Sequence, residues 1–139
     1  MKNSRVLVWW CLRTAFFATA CLFLPACKPK ANENAACFSA IPDSVSFRLH
    51  IQPILKTKCA LAGCHTGSSP GGNLNLDSAL AYAELTNRRS GYTDTISPKT
   101  SLLYSTLISV SPTMPPTGRL PDCQIEAFRK WMAQKARNN

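Results

Sequence analysis

The chain has 139 residues and a mass of 15.2 kDa, with 16 Lys and Arg against 7 acidic residues, for a formal net charge of +9. That length suits one domain, and no apolar stretch reaches the roughly 20 residues of a spanning helix, which excludes a polytopic membrane protein and a large two-domain enzyme. Seven cysteines are too many for an ordinary cytosolic globule, and two histidines cannot supply a multi-histidine zinc or copper site.

Residues 1–26 have the layout of a secretory signal. Lys2 and Arg5 precede an apolar stretch broken by Arg13, and an uncharged run of 11 residues follows from Thr14 to Leu24. This is the length of a signal-peptide core and too short for a membrane span. The run ends in Leu24-Pro25-Ala26-Cys27, which resembles the lipobox of bacterial lipoproteins. That resemblance implies a diacylglyceryl group on the Cys27 sulfur, cleavage before it, and a lipid anchor in a membrane on the periplasmic side of the cell envelope. Ala18-Thr19-Ala20 offers an ordinary small-x-small cleavage site as well, but the longer run fits cleavage before Cys27 better. Either site exports the chain. From Cys27 onward there are 113 residues, 13 basic and 7 acidic, with net charge +6. They hold no cluster of aromatics with Lys and Arg, so a nucleic-acid partner is not expected.

Residues 27–36 are polar and without periodicity, and read as a tether; the folded domain is expected over 37–139. Pro53 suits the first turn of a helix that runs to Cys59, with Ile51, Ile54 and Leu55 on its apolar side. Residues 66–73 are almost wholly turn-forming. Asp77 is a suitable N-cap for a helix through Leu85. Thr100 or Ser101 caps a third helix, with Leu103, Leu107 and Val110 on one face and Tyr104 beside them. Residues 111–118 hold three prolines, which prevent a helix. The last helix starts at Pro121-Asp122 and ends near Ala136. Ile125, Phe128, Trp131 and Met132 form its apolar stripe, while Glu126, Arg129 and Lys130 point outward. No alternating strand pattern of useful length is present. The expected class is all-α, with about four short helices and long loops.

Cys59-Ala60-Leu61-Ala62-Gly63-Cys64-His65 carries the chemistry. Two cysteines followed directly by histidine resemble the attachment sequence of c-type haem, here with four residues between the cysteines in place of the usual two. The resemblance implies one covalently attached haem c, with thioether bonds to Cys59 and Cys64 and with His65 as the proximal iron ligand. A covalent macrocycle would also supply apolar surface that so short a chain lacks. The second iron ligand should be a thioether or an imidazole. Met114 lies 49 residues beyond His65 between Thr113 and Pro115, off any helical stripe, whereas Met132 fits core packing. His50, just before the first helix, is the less favoured ligand.

The whole arrangement resembles class I cytochrome c domains, especially the small monohaem domains of bacterial lipoproteins. Ile51-Gln52-Pro53-Ile54 before the motif, Ser101-Leu102-Leu103-Tyr104, Met114-Pro115-Pro116 and Trp131 in the terminal helix all match that pattern, over roughly residues 37–139. Lys135 departs from it, since such domains often carry Gly near the end of the last helix. The resemblance implies a cytochrome c-like fold and a single-electron carrier working between redox protein partners. With His65 and Met114 both on iron, no enzyme activity is expected. Once lipid and haem are assigned, Cys37 and Cys123 remain as one possible disulfide, and cytochrome c architecture would bring those two positions close. The alternatives are a lipoprotein without haem, either stapled by two disulfides among Cys37, Cys59, Cys64 and Cys123 or binding zinc through Cys59, Cys64, His65 and Cys123.

Overall fold

A computed structural model describes residues 33–111 and 114–139. The signal segment, Cys27 and the first part of the tether lie outside the described residues, as do Pro112 and Thr113. Five α-helices and three shorter helical turns, with no strand among the described residues, make the domain all-α.

The terminal helix α5 (Asp122–Ala133) forms the centre of the core because its apolar residues recur at helical spacing. Ile125, Phe128, Trp131 and Met132 are all buried, together with Cys123 and Ala127. Asp122 sits in its first turn, where a carboxylate suits the helix dipole, and pairs with Arg119 at 2.5 Å. The helix ends at Ala133, three residues before the expected Ala136. The cause is a left-handed turn: Lys135 and Ala136 have φ of 71° and 45°. The Ala136 N–H donates to the Trp131 carbonyl and the Lys135 N–H to the Met132 carbonyl, both at 3.0 Å. This is the Schellman pattern, with Lys135 at the position glycine usually takes.

Trp131 packs against Phe47 at 5.3 Å between ring centroids and lies 6.5 Å from Tyr82, which meets Phe47 edge-on at 5.2 Å. The polar tips of these rings are satisfied by the chain that leaves α5. The Trp131 indole N–H donates to the Arg137 carbonyl at 2.9 Å, and the Tyr82 hydroxyl to the Ala136 carbonyl at 3.0 Å.

Phe47 opens a π-helical turn (Phe47–Ile51) that runs directly into α2 (Gln52–Lys58), whose first turn contains Pro53 as expected. Phe47, Ile51 and Leu55, four residues apart, form one buried edge of this segment, and the Phe47–Ile51 turn packs on α5. The Ser46 hydroxyl oxygen accepts from the Leu49 N–H at 3.2 Å and donates to the Asn139 carbonyl oxygen at 2.5 Å. The same Asn139 oxygen takes the Arg48 N–H at 2.9 Å.

Helix α4 (Leu102–Ile108) is capped by Ser101, whose hydroxyl accepts the Tyr104 N–H at 3.2 Å, as expected. It stops at Ile108, so Leu107 is buried while Val110 falls beyond the helix and is exposed. Helix α1 (Glu33–Ser39) begins four residues before Cys37, inside the stretch expected as tether. It packs on α5 and is fastened there by a Cys37–Cys123 disulfide that spans 86 residues, with Cα atoms 5.8 Å apart. This is the pair that the cysteine assignment leaves over. Among the described residues, no helix is long and apolar enough to cross a membrane.

Candidate functional site

The motif begins where α2 runs out. The Leu55 carbonyl takes the N–H groups of both Cys59 and Ala60, at 2.9 and 2.8 Å, which closes the helix. Gly63 then adopts φ of 77°, a left-handed turn that a residue with a Cβ rarely accepts. The turn carries the chain back, so that the His65 N–H reaches the Cys59 carbonyl at 3.2 Å and the Cys64 N–H reaches the Leu61 carbonyl at 2.9 Å. The four-residue spacer therefore forms a closed loop that returns the backbone at His65 to that at Cys59.

Both thiols are free and half-buried. Burial, reinforced by the neighbouring Cys64 thiol, pushes the Cys59 thiol up to about 11. The His65 Nδ1 is buried without a hydrogen-bond partner. A buried imidazole nitrogen left unpaired is uncommon and calls for an explanation.

The loop after the motif holds its backbone from the other side. The Cys64 carbonyl accepts the Gly71 N–H at 2.7 Å, and the His65 carbonyl accepts the Leu76 N–H at 2.8 Å. The Thr66 hydroxyl donates to the Asp77 carboxylate, whose own N–H is taken by the Asn75 side chain at 2.9 Å. At Gly71 a Cβ would sit 3.2 Å from the Cys64 carbonyl oxygen and 3.9 Å from His65 Cε1. The Thr66 bond also corrects the expected cap: with its carboxylate engaged there, Asp77 makes no side-chain cap. Its carbonyl instead takes the Leu80 and Ala81 N–H groups at 2.8 Å, and α3 (Ala81–Thr86) starts four residues later than Asp77.

Met114 lies half-buried at the start of an irregular turn, beside the buried Pro115. Among the described residues, no hydrogen bond joins this turn to Cys59–His65. Met132 is fully buried on the α5 stripe, with its sulfur 3.4 Å from the Ser101 hydroxyl, a core position as expected. His50 is half-buried, and its Nδ1 accepts the Ser46 N–H at 2.9 Å, a local packing role. Neither alternative site is assembled. Cys123 is bonded to Cys37, which leaves Cys59 and Cys64 unbridged, and no group of three or more His, Cys, Asp and Glu among the described residues could hold a metal ion.

Thr66, Gly71 and Asp77 escape the sequence reading as partners of the motif. Their contacts join positions up to eleven residues apart in a stretch without periodicity, where only the turn-forming composition is visible. Comparison with protein-family models, with curated proteins and with solved structures finds no match to this chain.

Proposed function

We propose that the chain is an exported, lipid-anchored monohaem c-type cytochrome that carries single electrons between redox protein partners. Cys59 and Cys64 would bind the macrocycle, and His65 and Met114 would hold its iron. The observation that carries this reading is the closed Cys59–His65 loop, with two free half-buried thiols and a half-buried histidine whose buried Nδ1 has no partner. Two thiols and one histidine are too few protein donors for a structural zinc site, and they suit covalent haem attachment plus one axial bond. When bound, the haem supplies the one-electron chemistry.

What the chain contributes is placement and protection. Gly63 turns the spacer so that His65 follows Cys64 back toward Cys59, and the bonds from Gly71 and Leu76 fix that backbone. Half-burial shields the Cys59 thiol and favours its protonated form. Pro115 and Pro116 restrict the backbone beside Met114, so an irregular turn can present a thioether without a helix. The Cys37–Cys123 bridge uses up the other two thiols of the folded domain in an oxidising compartment.

A haem stain on a denaturing gel tests the proposal directly, because only thioether-linked haem survives denaturation. The mature protein, made in a host with c-type maturation machinery, should have the mass of the chain plus one haem, and an intact mass of the bare chain refutes it. Cys64→Ala should lose stable attachment and Cys59→Ala should weaken it. Met114→Ala should open the iron to added imidazole or carbon monoxide. Met132→Ala should keep the haem spectrum and cost about 2–5 kcal/mol of stability, as expected for a fully buried side chain. Cys27→Ser should release the protein from the membrane fraction with its haem intact.

A further inference from the structure

The His65 ring has no hydrogen bond of its own at Nδ1, so its orientation is left to the backbone and to the groups that hold that backbone. Three consecutive residues are held from the loop that follows. Cys64 is bonded to Gly71 and His65 to Leu76 through main-chain groups, and Thr66 is bonded to Asp77 through side chains. The first two bonds exist whatever the side chains are. The third is written in the sequence, and it sits one residue from the imidazole. Asp77 is itself well anchored: Asn75 fixes its N–H, and its carbonyl starts the turn that leads into α3. A half-buried carboxylate that accepts a hydroxyl proton gives a stronger bond than a neutral acceptor would.

We infer that Thr66 and Asp77 are positioning residues for His65, locking the backbone that carries the imidazole onto the start of α3. The inference rests on the reading of His65 as the iron ligand. Groups that orient a ligating histidine usually bond the ring itself; here the same task falls to the residue next along the chain. Gly71 supports it from below, since a Cβ there would crowd the Cys64 carbonyl oxygen at 3.2 Å, beside the residue that carries the ring.

The test uses the full mature chain with Thr66→Val and Asp77→Ala, compared with Thr66→Ser and Asp77→Asn, which keep the donor and an acceptor. Three readouts are taken: hydrogen exchange of the Gly71 and Leu76 amides, the NMR resonances of the His65 ring protons and, in the haem-loaded chain, the midpoint potential. In the first pair the two amides should exchange about tenfold faster, the size of one lost side-chain hydrogen bond. The ring resonances should move, and in the haem-loaded chain the midpoint potential should move with them. The second pair should restore all three. Faster exchange with unmoved ring resonances overturns the inference, because the clamp is then structural only; unchanged exchange overturns it as well. Should Asp77→Ala fail to fold, Thr66→Val removes the same bond from the other side with a nearly isosteric side chain. A wild-type chain that matures without haem refutes the cytochrome reading alone. The ring resonances are visible in that form too, and still decide whether Thr66 and Asp77 orient His65.

Discussion

Around Trp131 the protein is held by packing, whereas around His65 it is held by hydrogen bonds of the main chain. The first region joins α5, the Phe47–Ile51 turn and α3 through fully buried apolar side chains, and three aromatic rings meet within 6.5 Å. Between Cys59 and Asp77 only Leu74 and Leu76 are buried, and the chain is fixed by carbonyl-to-amide bonds that cross between the motif and its following loop. Packing tolerates no missing volume. Hydrogen-bonded loops, in contrast, hold a backbone without a filled core beneath it. The core and the site are thus stabilised by different forces and should fail in different ways.

The largest effect should come from breaking the packed region. Trp131→Ala removes a fully buried indole, two ring neighbours and the bond to the Arg137 carbonyl. It should cost about 5 kcal/mol, the upper end for aromatic truncation, enough to unfold a domain of this size under most conditions. Denaturant titration of the mature chain measures it. A loss below about 1 kcal/mol would mean that the aromatic cluster is not the keystone its burial indicates.

Next in size is the bridge between α1 and α5. Closing a loop of 86 residues contributes roughly 4–5 kcal/mol in the chain-entropy model, and about 3–4 here if haem already restricts the unfolded chain. Cys37→Ser with Cys123→Ser should show that loss, and on the proposed cytochrome reading should leave the haem spectrum unchanged, since neither residue belongs to the motif loop. Thiol titration of the unfolded, unreduced wild-type domain is the direct check. With haem attached it should find no reactive thiol, and two should appear on reduction.

A smaller effect depends on pH. The hydrogen bonds from Arg129 hold the Glu126 carboxyl below its ordinary value of 4.5, and the exposed Asp94 carboxyl is held down by the N–H groups of Ser97 and Ile96. A depressed carboxyl stabilises the fold above its unfolded value, and that contribution is lost as pH falls through the folded one. Stability should therefore decline as pH falls through and below the ordinary carboxylate range, and Glu126→Gln should flatten part of that decline. Because Glu126 is partly solvent-exposed, its share should stay under about 1 kcal/mol. Since both groups lie outside the Cys59–Asp77 segment, the proposed haem site should not follow this change.

The same division explains what could be read from the sequence. The α5 stripe, the Ser101 cap and the place of Pro53 follow from spacing and local chemistry, and the structure has all three. The π-helical turn was not visible as such, although Phe47, Ile51 and Leu55 at four-residue intervals mark a buried edge that extends upstream of Pro53. Asp77 misleads because a residue suited to capping is equally suited to accept any nearby hydroxyl, and Thr66 reaches it first. In the site, Cys59, Cys64 and His65 are legible from residue type and spacing, whereas the bonds that hold them are made by main-chain groups that carry no signature in the sequence.

Lys135 offers the finest test, at the point where α5 gives way to chain held by hydrogen bonds. Its φ of 71° places a side-chain-bearing residue in the left-handed region, which costs roughly 1 kcal/mol relative to glycine. Its side chain is exposed, so substitution removes little packing. Glycine loses more backbone freedom on folding, which offsets part of the gain. Lys135→Gly should therefore stabilise by about 0.5–1 kcal/mol, and Lys135→Asn, which tolerates the same conformation, by less. Ala136→Gly should gain nothing, because Ala136 is buried and its methyl group is packed. Denaturant midpoints of the three variants check this order. A loss in Lys135→Gly would show that the turn is set by the packing of Trp131 and Met132 above it, with no strain at Lys135 to relieve.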